Sequence, residues 1–202
     1  MLLFVTHTIP SAPGIRDWLI ERLGRRVFFA LHGLVSTVLL VWIILIYMNT
    51  EPDFVWAPPQ WHRWAAVLIM PVALWLIAAR LMLKPAEVPR GIYRICATPG
   101  STGTLIWSLL HLMNIGHASA IAAFVAFASI AAVSVFKNWR VAPDAVRAVG
   151  PVPFFAIIAG RQQISADDIS FKPLIAGLIV WVLLLTLHAP VLGVDPLIGV
   201  LR

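Results

Sequence analysis

Charged residues are scarce in this sequence, and their scarcity excludes most soluble proteins. Only 12 % of the 202 residues are Asp, Glu, Lys or Arg, about half of the roughly 25 % that a soluble domain uses to cover its surface. Because 60 % of the residues are hydrophobic, the missing polar surface indicates that lipid is the solvent. The length fits one domain, and we expect residues 1–202 to form a single membrane domain.

Acidic residues and cysteine are also few. All nine acidic residues lie in loops or near chain ends, so the carboxylates of an ion-driven transporter are missing from the apolar runs. The single Cys96 excludes an internal disulfide and a cysteine-based metal cage. No glycine-rich phosphate loop or nucleophile elbow is found. The net charge of +6 comes from loops between apolar runs, so we expect no nucleic-acid partner.

Long apolar runs are what the sequence does contain. A run of about 18 or more apolar residues can span a bilayer as a helix, and residues 28–47, 64–83 and 174–192 qualify. Pro71 is expected to kink the second of these. The apolar stretch over residues 104–136 is interrupted at Asn114-Ile115-Gly116. We interpret it as two helices joined by a tight turn, the first being a short arm over residues 101–113.

The N-terminal segment, residues 1–9, is apolar but too short to cross a bilayer. We interpret it as the second half of a first helix: either the native start lies upstream of Met1, or the helix is half-inserted. No basic segment precedes the run, so a secretory signal peptide is not expected. The prediction is an all-α polytopic bundle of about six transmembrane helices, the first one truncated.

The loops carry positive charge asymmetrically. Thirteen of the fifteen Lys and Arg residues lie in three segments: residues 14–26, residues 84–94 together with the nearby Arg80, and residues 137–172. The alternate loops, 49–63 and 114–117, hold only Arg63. Positive loops stay on the cytoplasmic side, so we expect a multi-pass protein of the bacterial inner membrane with basic loops in the cytoplasm and both termini in the periplasm.

Histidine is the chemistry-bearing side chain that remains inside the predicted spans. His32, His111 and His188 lie in apolar helices, and His7 lies in the truncated first one. An intramembrane histidine is costly unless it is paired or ligating, and neutral imidazole is a common ligand of heme iron. Each histidine could equally be structural, hydrogen-bonded to a neighbouring helix. The spacing leaves both interpretations open.

The surroundings of His111 suggest one face of a helix. Trp107 precedes His111 by four residues and Asn114 follows it by three, so the three side chains share a face. That face could line a cofactor pocket. Alternatively, Trp107 is ordinary packing and Asn114 belongs to the turn.

Several short motifs, taken in order, carry a resemblance that extends over nearly the whole chain. They are Thr6-His7-Thr8-Ile9-Pro10, Pro13-Gly14-Ile15-Arg16, Arg22-Leu23-Gly24, Trp107 with His111 and Asn114-Ile115-Gly116, and the ending Leu187-His188-Ala189-Pro190-Val191-Leu192-Gly193-Val194-Asp195-Pro196-Leu197. In this order and spacing, the sequence resembles the NnrU family of bacterial inner-membrane proteins. The family is named for an association with nitrite and nitric oxide reduction (denitrification).

The resemblance implies a cofactor and its ligands. The NnrU family is similar to the 15-cis-zeta-carotene isomerase, which holds heme b between histidines of separate helices. Carried over, His7 and His111 would be the cofactor-binding residues and the metal ligands of heme b. The isomerase has a cysteine, implicated in redox ligand switching, where this sequence has Ser108, so we do not expect that switch here.

Three functions follow as alternatives, with catalytic residues undefined. The first is a heme-b protein that senses or binds nitric oxide, passes an electron to a membrane redox partner, or isomerises a polyene. The second is a non-enzymatic accessory factor for a nitrogen-oxide reductase. The third is a membrane methyltransferase, which is disfavoured because the Arg-His-Pro motif of such enzymes is reduced to Ala97-Thr98-Pro99. A shared iron requires the two histidine nitrogens to lie about 4 Å apart, judged from His nitrogen–metal bonds of about 2 Å.

Overall fold

The computed structural model describes residues 2–51, 53–198 and 200. Within them the chain is helical, with one isolated bridge between Phe54 and His117. The helices are α1 (Leu2–Thr8), α2 (Pro13–Leu23), α3 (Arg25–Asn49), α4 (Trp61–Met82), α5 (Ile92–Ile95), α6 (Pro99–Asn114), α7 (Ala118–Arg140), α8 (Asp144–Arg147), α9 (Phe155–Ile158) and α10 (Phe171–Leu192). The all-α bundle predicted from the sequence is confirmed.

Four of the described helices, α3, α4, α7 and α10, are long and apolar enough to cross a membrane. Helix α6 has 16 residues, which extend over about 24 Å, less than the roughly 30 Å of the hydrocarbon core. Helix α1 has only seven residues. The predicted count of about six spans is therefore not confirmed. Met1, where we placed the break in the first helix, lies outside the described residues.

The helix boundaries follow from local chemistry. Helix α6 begins with Pro99, whose missing N–H costs nothing in the first turn of a helix. It ends at Asn114, and α7 begins after the predicted turn at Asn114-Ile115-Gly116. The stretch over residues 14–26, expected to be a loop, is instead mostly helix α2. Gly24, with φ of 77°, separates α2 from α3 because this backbone conformation favours glycine.

Helix α4 lies at the centre of the bundle and packs against both α6 and α10, while α6 also packs against α7. Helix α1 contacts α3 and α7. A buried cluster around α5 forms the core near one end of the helices. That end also carries Arg80 and Lys137, and we call it the basic end. The outer faces of α3 and α10 expose many large apolar side chains, as expected for surfaces in contact with lipid.

Candidate functional site

His7, the first predicted ligand, lies near the end of α1 and points toward α3. Its Nδ1 is 3.3 Å from Oγ of Ser36, and Oγ of Ser36 donates to the carbonyl of His32 at 2.8 Å. Because the only hydroxyl proton of Ser36 is used there, Nδ1 of His7 must be the donor in the first bond. Nε2 of His7 therefore carries a lone pair, which accepts no hydrogen bond from the residues that the structure describes.

His32 is the neighbour of His7 that the sequence did not reveal. The two rings lie 4.7 Å apart between centroids, and the ring of Phe28 stacks with that of His32 at a centroid distance of 5.9 Å. The signal in the sequence is weak, since 25 residues separate the two histidines and only the packing of α1 on α3 brings them together. His32 gives the His7 site a second imidazole.

A cavity of about 270 Å³ adjoins His7 at the basic end. It lies between the α1–α2 connection and the last turns of α7, and its lining includes Ser11, Val133, Ser134 and Lys137. Nζ of Lys137 donates to the carbonyl of Ser11 at 3.1 Å. This hydrogen bond ties the end of α7 to the segment that follows His7.

His111, the second predicted ligand, lies on the face of α6 that meets α7. Its Nδ1 donates to the carbonyl of Trp107 at 2.8 Å, because a carbonyl can only accept, so Nε2 again keeps its lone pair. The imidazole stacks on Phe124 with ring centroids 4.5 Å apart and planes 8° from parallel. Trp107 lies 4.8 Å from the same imidazole. The predicted common face of Trp107 and His111 is present.

Asn114, the third member of the predicted face, hydrogen-bonds to backbone carbonyls at the end of α6 and the start of α4. Its Nδ2 donates to the carbonyl of Leu110 at 2.8 Å and to the carbonyl of His62 at 3.1 Å. Nδ1 of His62 in turn donates to the carbonyl of Met113 at 2.6 Å. The two hydrogen bonds that involve His62 fasten the end of α6 to the start of α4, so Asn114 acts as a turn residue, the alternative that the sequence left open.

The structure does not bring His7 and His111 together. No hydrogen bond or ring contact links them in the described part of the chain. On α7, His7 lines the same cavity as Ser134, whereas His111 stacks on Phe124. Ser134 and Phe124 are ten positions apart, which corresponds to about 15 Å along the helix axis.

An apolar cluster fills the level between the two histidines. Its buried members are Leu3, Leu39 and Ile130, and Phe4 and Phe127 pack against it. Trp107 reaches the same level, since its ring lies 5.5 Å from that of Phe127. The two histidines are thus separated by packed side chains of α1, α3 and α7.

Comparison with known protein families decides the relationship that the motifs suggested. The family model for the NnrU protein matches residues 1–196. The chain belongs to the NnrU family. The match includes both His7 and His111, and it extends through the ending around His188. Comparisons with curated proteins and with solved structures give no match.

Proposed function

We propose that this NnrU-family protein binds heme b in the bacterial inner membrane and serves nitrite and nitric oxide metabolism, with His7 and His111 as the axial ligands. One observation carries the proposal: each imidazole donates its Nδ1–H within the protein and keeps the Nε2 lone pair unshared. Histidines that bind metals are held in this way, because the second hydrogen bond fixes the ring and its tautomer.

The donor atoms fit heme iron, whereas their separation in this structure does not. Two axial nitrogens must lie about 4 Å apart, and the levels of His7 and His111 on α7 differ by about 15 Å. When bound, heme would supply an iron that takes up an electron, and a diatomic ligand would need the position of one of the two histidines. The protein's residues hold the two rings and keep water out.

The decisive experiment is the visible spectrum of the protein purified in detergent from heme-replete cells. We expect a Soret band that disappears in both His7→Ala and His111→Ala. The matched control is His117→Phe, which keeps a ring against Phe54 and should keep the band. A colourless wild-type protein, or a band that survives both alanine substitutions, would refute the proposal.

A non-enzymatic accessory factor is the second candidate, and the separation of the two histidines favours it. Each ring already has a hydrogen-bond partner and a packing neighbour of its own: His7 has Ser36 and His32, and His111 has Trp107 and Phe124. In that case the exposed apolar faces of the spans would contact a nitrogen-oxide reductase. Co-purification of a reductase at unchanged yield with the His7/His111 double alanine variant would support this candidate.

An isomerase-like heme enzyme is a variant of the first candidate with another substrate. It predicts the same Soret band, so the spectrum does not separate the two. Conversion of a poly-cis polyene by the reduced protein, lost in His111→Ala, would favour the isomerase. Shift of the band by nitric oxide without polyene conversion would favour the role in nitrogen-oxide metabolism.

We also propose that the basic end faces the cytoplasm. The helix order brings residues 14–26, 84–94 and 137–172 to this end. The turn at Gly116 and the loop at Val55 lie at the opposite end, where the backbone N–H of Val55 donates to the carbonyl of Gly116 at 2.8 Å. Positive loops are retained in the cytoplasm. Alkaline phosphatase fused after residue 202 should be active, and fused in the loop at Lys84 it should be inactive; the reverse result would overturn the orientation.

A further inference from the structure

The cavity beside His7 combines an apolar wall with a cationic edge. Val133 and Phe136 of α7 supply the apolar wall. Lys137, one helical turn beyond Val133, supplies the cation. Arg16 of α2 lies within electrostatic range of Lys137. The cavity is also at the basic end, where the four spanning helices reach the membrane surface.

The positive charge around the cavity is uncompensated. The ion pairs formed by described residues are Arg94 with Asp168 and Arg147 with Asp144, and none involves Lys137 or Arg16. Arginines here lie over aromatic rings instead. Arg16 lies 5.6 Å from the ring centroid of Phe29, and Arg140 lies 4.2 Å from that of Phe136, a cavity wall. Such pairs bring no negative charge, so the guanidinium groups keep their net positive charge.

We propose that this cavity binds an acidic phospholipid, with the phosphate at Lys137 and Arg16 and the start of an acyl chain against Val133 and Phe136. A small inorganic anion would leave the apolar wall without a partner, and a zwitterionic lipid would bring a positive ammonium group along with its phosphate to a site that is already cationic. Only an anionic amphiphile matches both surfaces. His7 lines the same cavity, but the inference does not require heme, because the groups assigned to the lipid are Lys137, Arg16, Val133 and Phe136.

The expected strength follows from the charges. A Lys or Arg near an anionic membrane surface contributes attraction that corresponds to about a fivefold change in affinity. Removing Lys137 or Arg16 should therefore each weaken retention of an acidic lipid about fivefold, and removing both should weaken it more than twentyfold. A charge at the same end that lies away from Lys137 should have little effect.

Native mass spectrometry of the detergent-purified protein, with dioleoyl-phosphatidylglycerol or dioleoyl-phosphatidylcholine added, tests the proposal. The wild type should retain phosphatidylglycerol over phosphatidylcholine. Lys137→Gln and Arg16→Gln should each reduce that preference about fivefold. Lys137→Arg, which keeps the charge, and Lys84→Gln, which removes an exposed charge from the loop after α4, should leave it unchanged.

Two further measurements separate this site from diffuse attraction. Ser134→Leu fills the cavity without altering charge and should also lower retention of phosphatidylglycerol; the thermal midpoint of each variant shows that it is folded. Inorganic phosphate at millimolar concentration should not displace the lipid. Any one of four results would overturn the proposal. They are equal retention of both lipids, an equal effect of Lys84→Gln and Lys137→Gln, unchanged lipid binding in Ser134→Leu, and displacement of the lipid by phosphate.

Discussion

Two glycines set the distances between the central helices, and replacing either by alanine should destabilise the bundle. At Gly177 of α10, an added Cβ would lie 2.8 Å from the backbone N and 2.9 Å from the Cα of Trp75 in α4. At Gly103 of α6, it would lie 2.5 Å from the carbonyl oxygen of Ala73. Both approaches are to backbone atoms, so a side chain cannot rotate away, and the helices must separate. Close approach through small residues is a principal source of helix association in membranes.

The magnitude follows from two opposing effects. Forcing an extra methyl group into a packed contact costs about 1–3 kcal/mol, while alanine favours a helix over glycine by about 0.5–1 kcal/mol. At the middle of the two ranges, the net loss for Gly177→Ala or Gly103→Ala is about 1 kcal/mol. Gly33 of α3 is the matched control, because nothing lies within 4 Å of its added Cβ. Gly33→Ala should stabilise by about 0.5–1 kcal/mol.

Thermal unfolding in detergent, followed by tryptophan fluorescence, measures the difference. For a chain of this length 1 kcal/mol shifts the midpoint by about 2–4 °C. Gly177→Ala and Gly103→Ala should lower the midpoint, and Gly33→Ala should raise it slightly. If Gly177→Ala melted at or above the wild-type temperature, the contact between α10 and α4 at Trp75 would be wrong. If all three substitutions raised the midpoint, helix propensity alone would explain them.

The remaining predictions concern the basic end. Cys96 is fully buried, and burial raises the pKa of its thiol, so maleimide should label it only after denaturation; labelling of the folded protein would contradict its position. Burial also raises the pKa of the Tyr93 hydroxyl. As the pH rises, the unfolded chain loses the Cys96 and Tyr93 protons before the folded chain does. The free energy of unfolding should therefore be constant below about pH 8.5 and fall above it. A Tyr93→Phe/Cys96→Ala variant should show a flatter pH dependence of the thermal midpoint. Asp168 is buried in its ion pair with Arg94 at 2.8 Å, so Asp168→Asn should lose about 1–3 kcal/mol and speed tryptic cleavage of the adjacent segment, whereas Asp144→Asn, from an exposed pair, should change little.

The spanning helices could be predicted because lipid imposes a simple rule on composition. The runs over residues 28–47, 64–83 and 174–192 correspond to α3, α4 and α10, and the turn before α7 lies where Gly116 predicted it. Gly116 is required there, since an added Cβ would lie 2.0 Å from the carbonyl oxygen of Trp56. Helix α2 was missed because its mixture of Arg, Asp and Glu with apolar residues satisfies neither the span rule nor a clear amphipathic pattern.

The site could be predicted only within one helix. The contact of Trp107 with His111 follows from their spacing of four residues. Two other contacts depend on how separate helices pack: that of His7 with His32, and the hydrogen bond from Asn114 to the carbonyl of His62. Hydropathy does not predict how far one helix is shifted along another. Sequence patterns therefore located the individual imidazoles and not the distance between them.

The level of His7 along the bundle is set by apolar contacts of α1. Leu3 of that helix is buried with Leu39 of α3 and Ile130 of α7, and His7 lies one turn beyond Leu3 toward the basic end. Moving His7 to the level of His111 would require α1 to slide by about two to three helical turns, at 5.4 Å per turn, and Leu3 would leave this cluster. The contacts of Leu3 with Leu39 and Ile130 therefore oppose a shared iron. The free energy of breaking these contacts would be subtracted from the intrinsic binding free energy of heme.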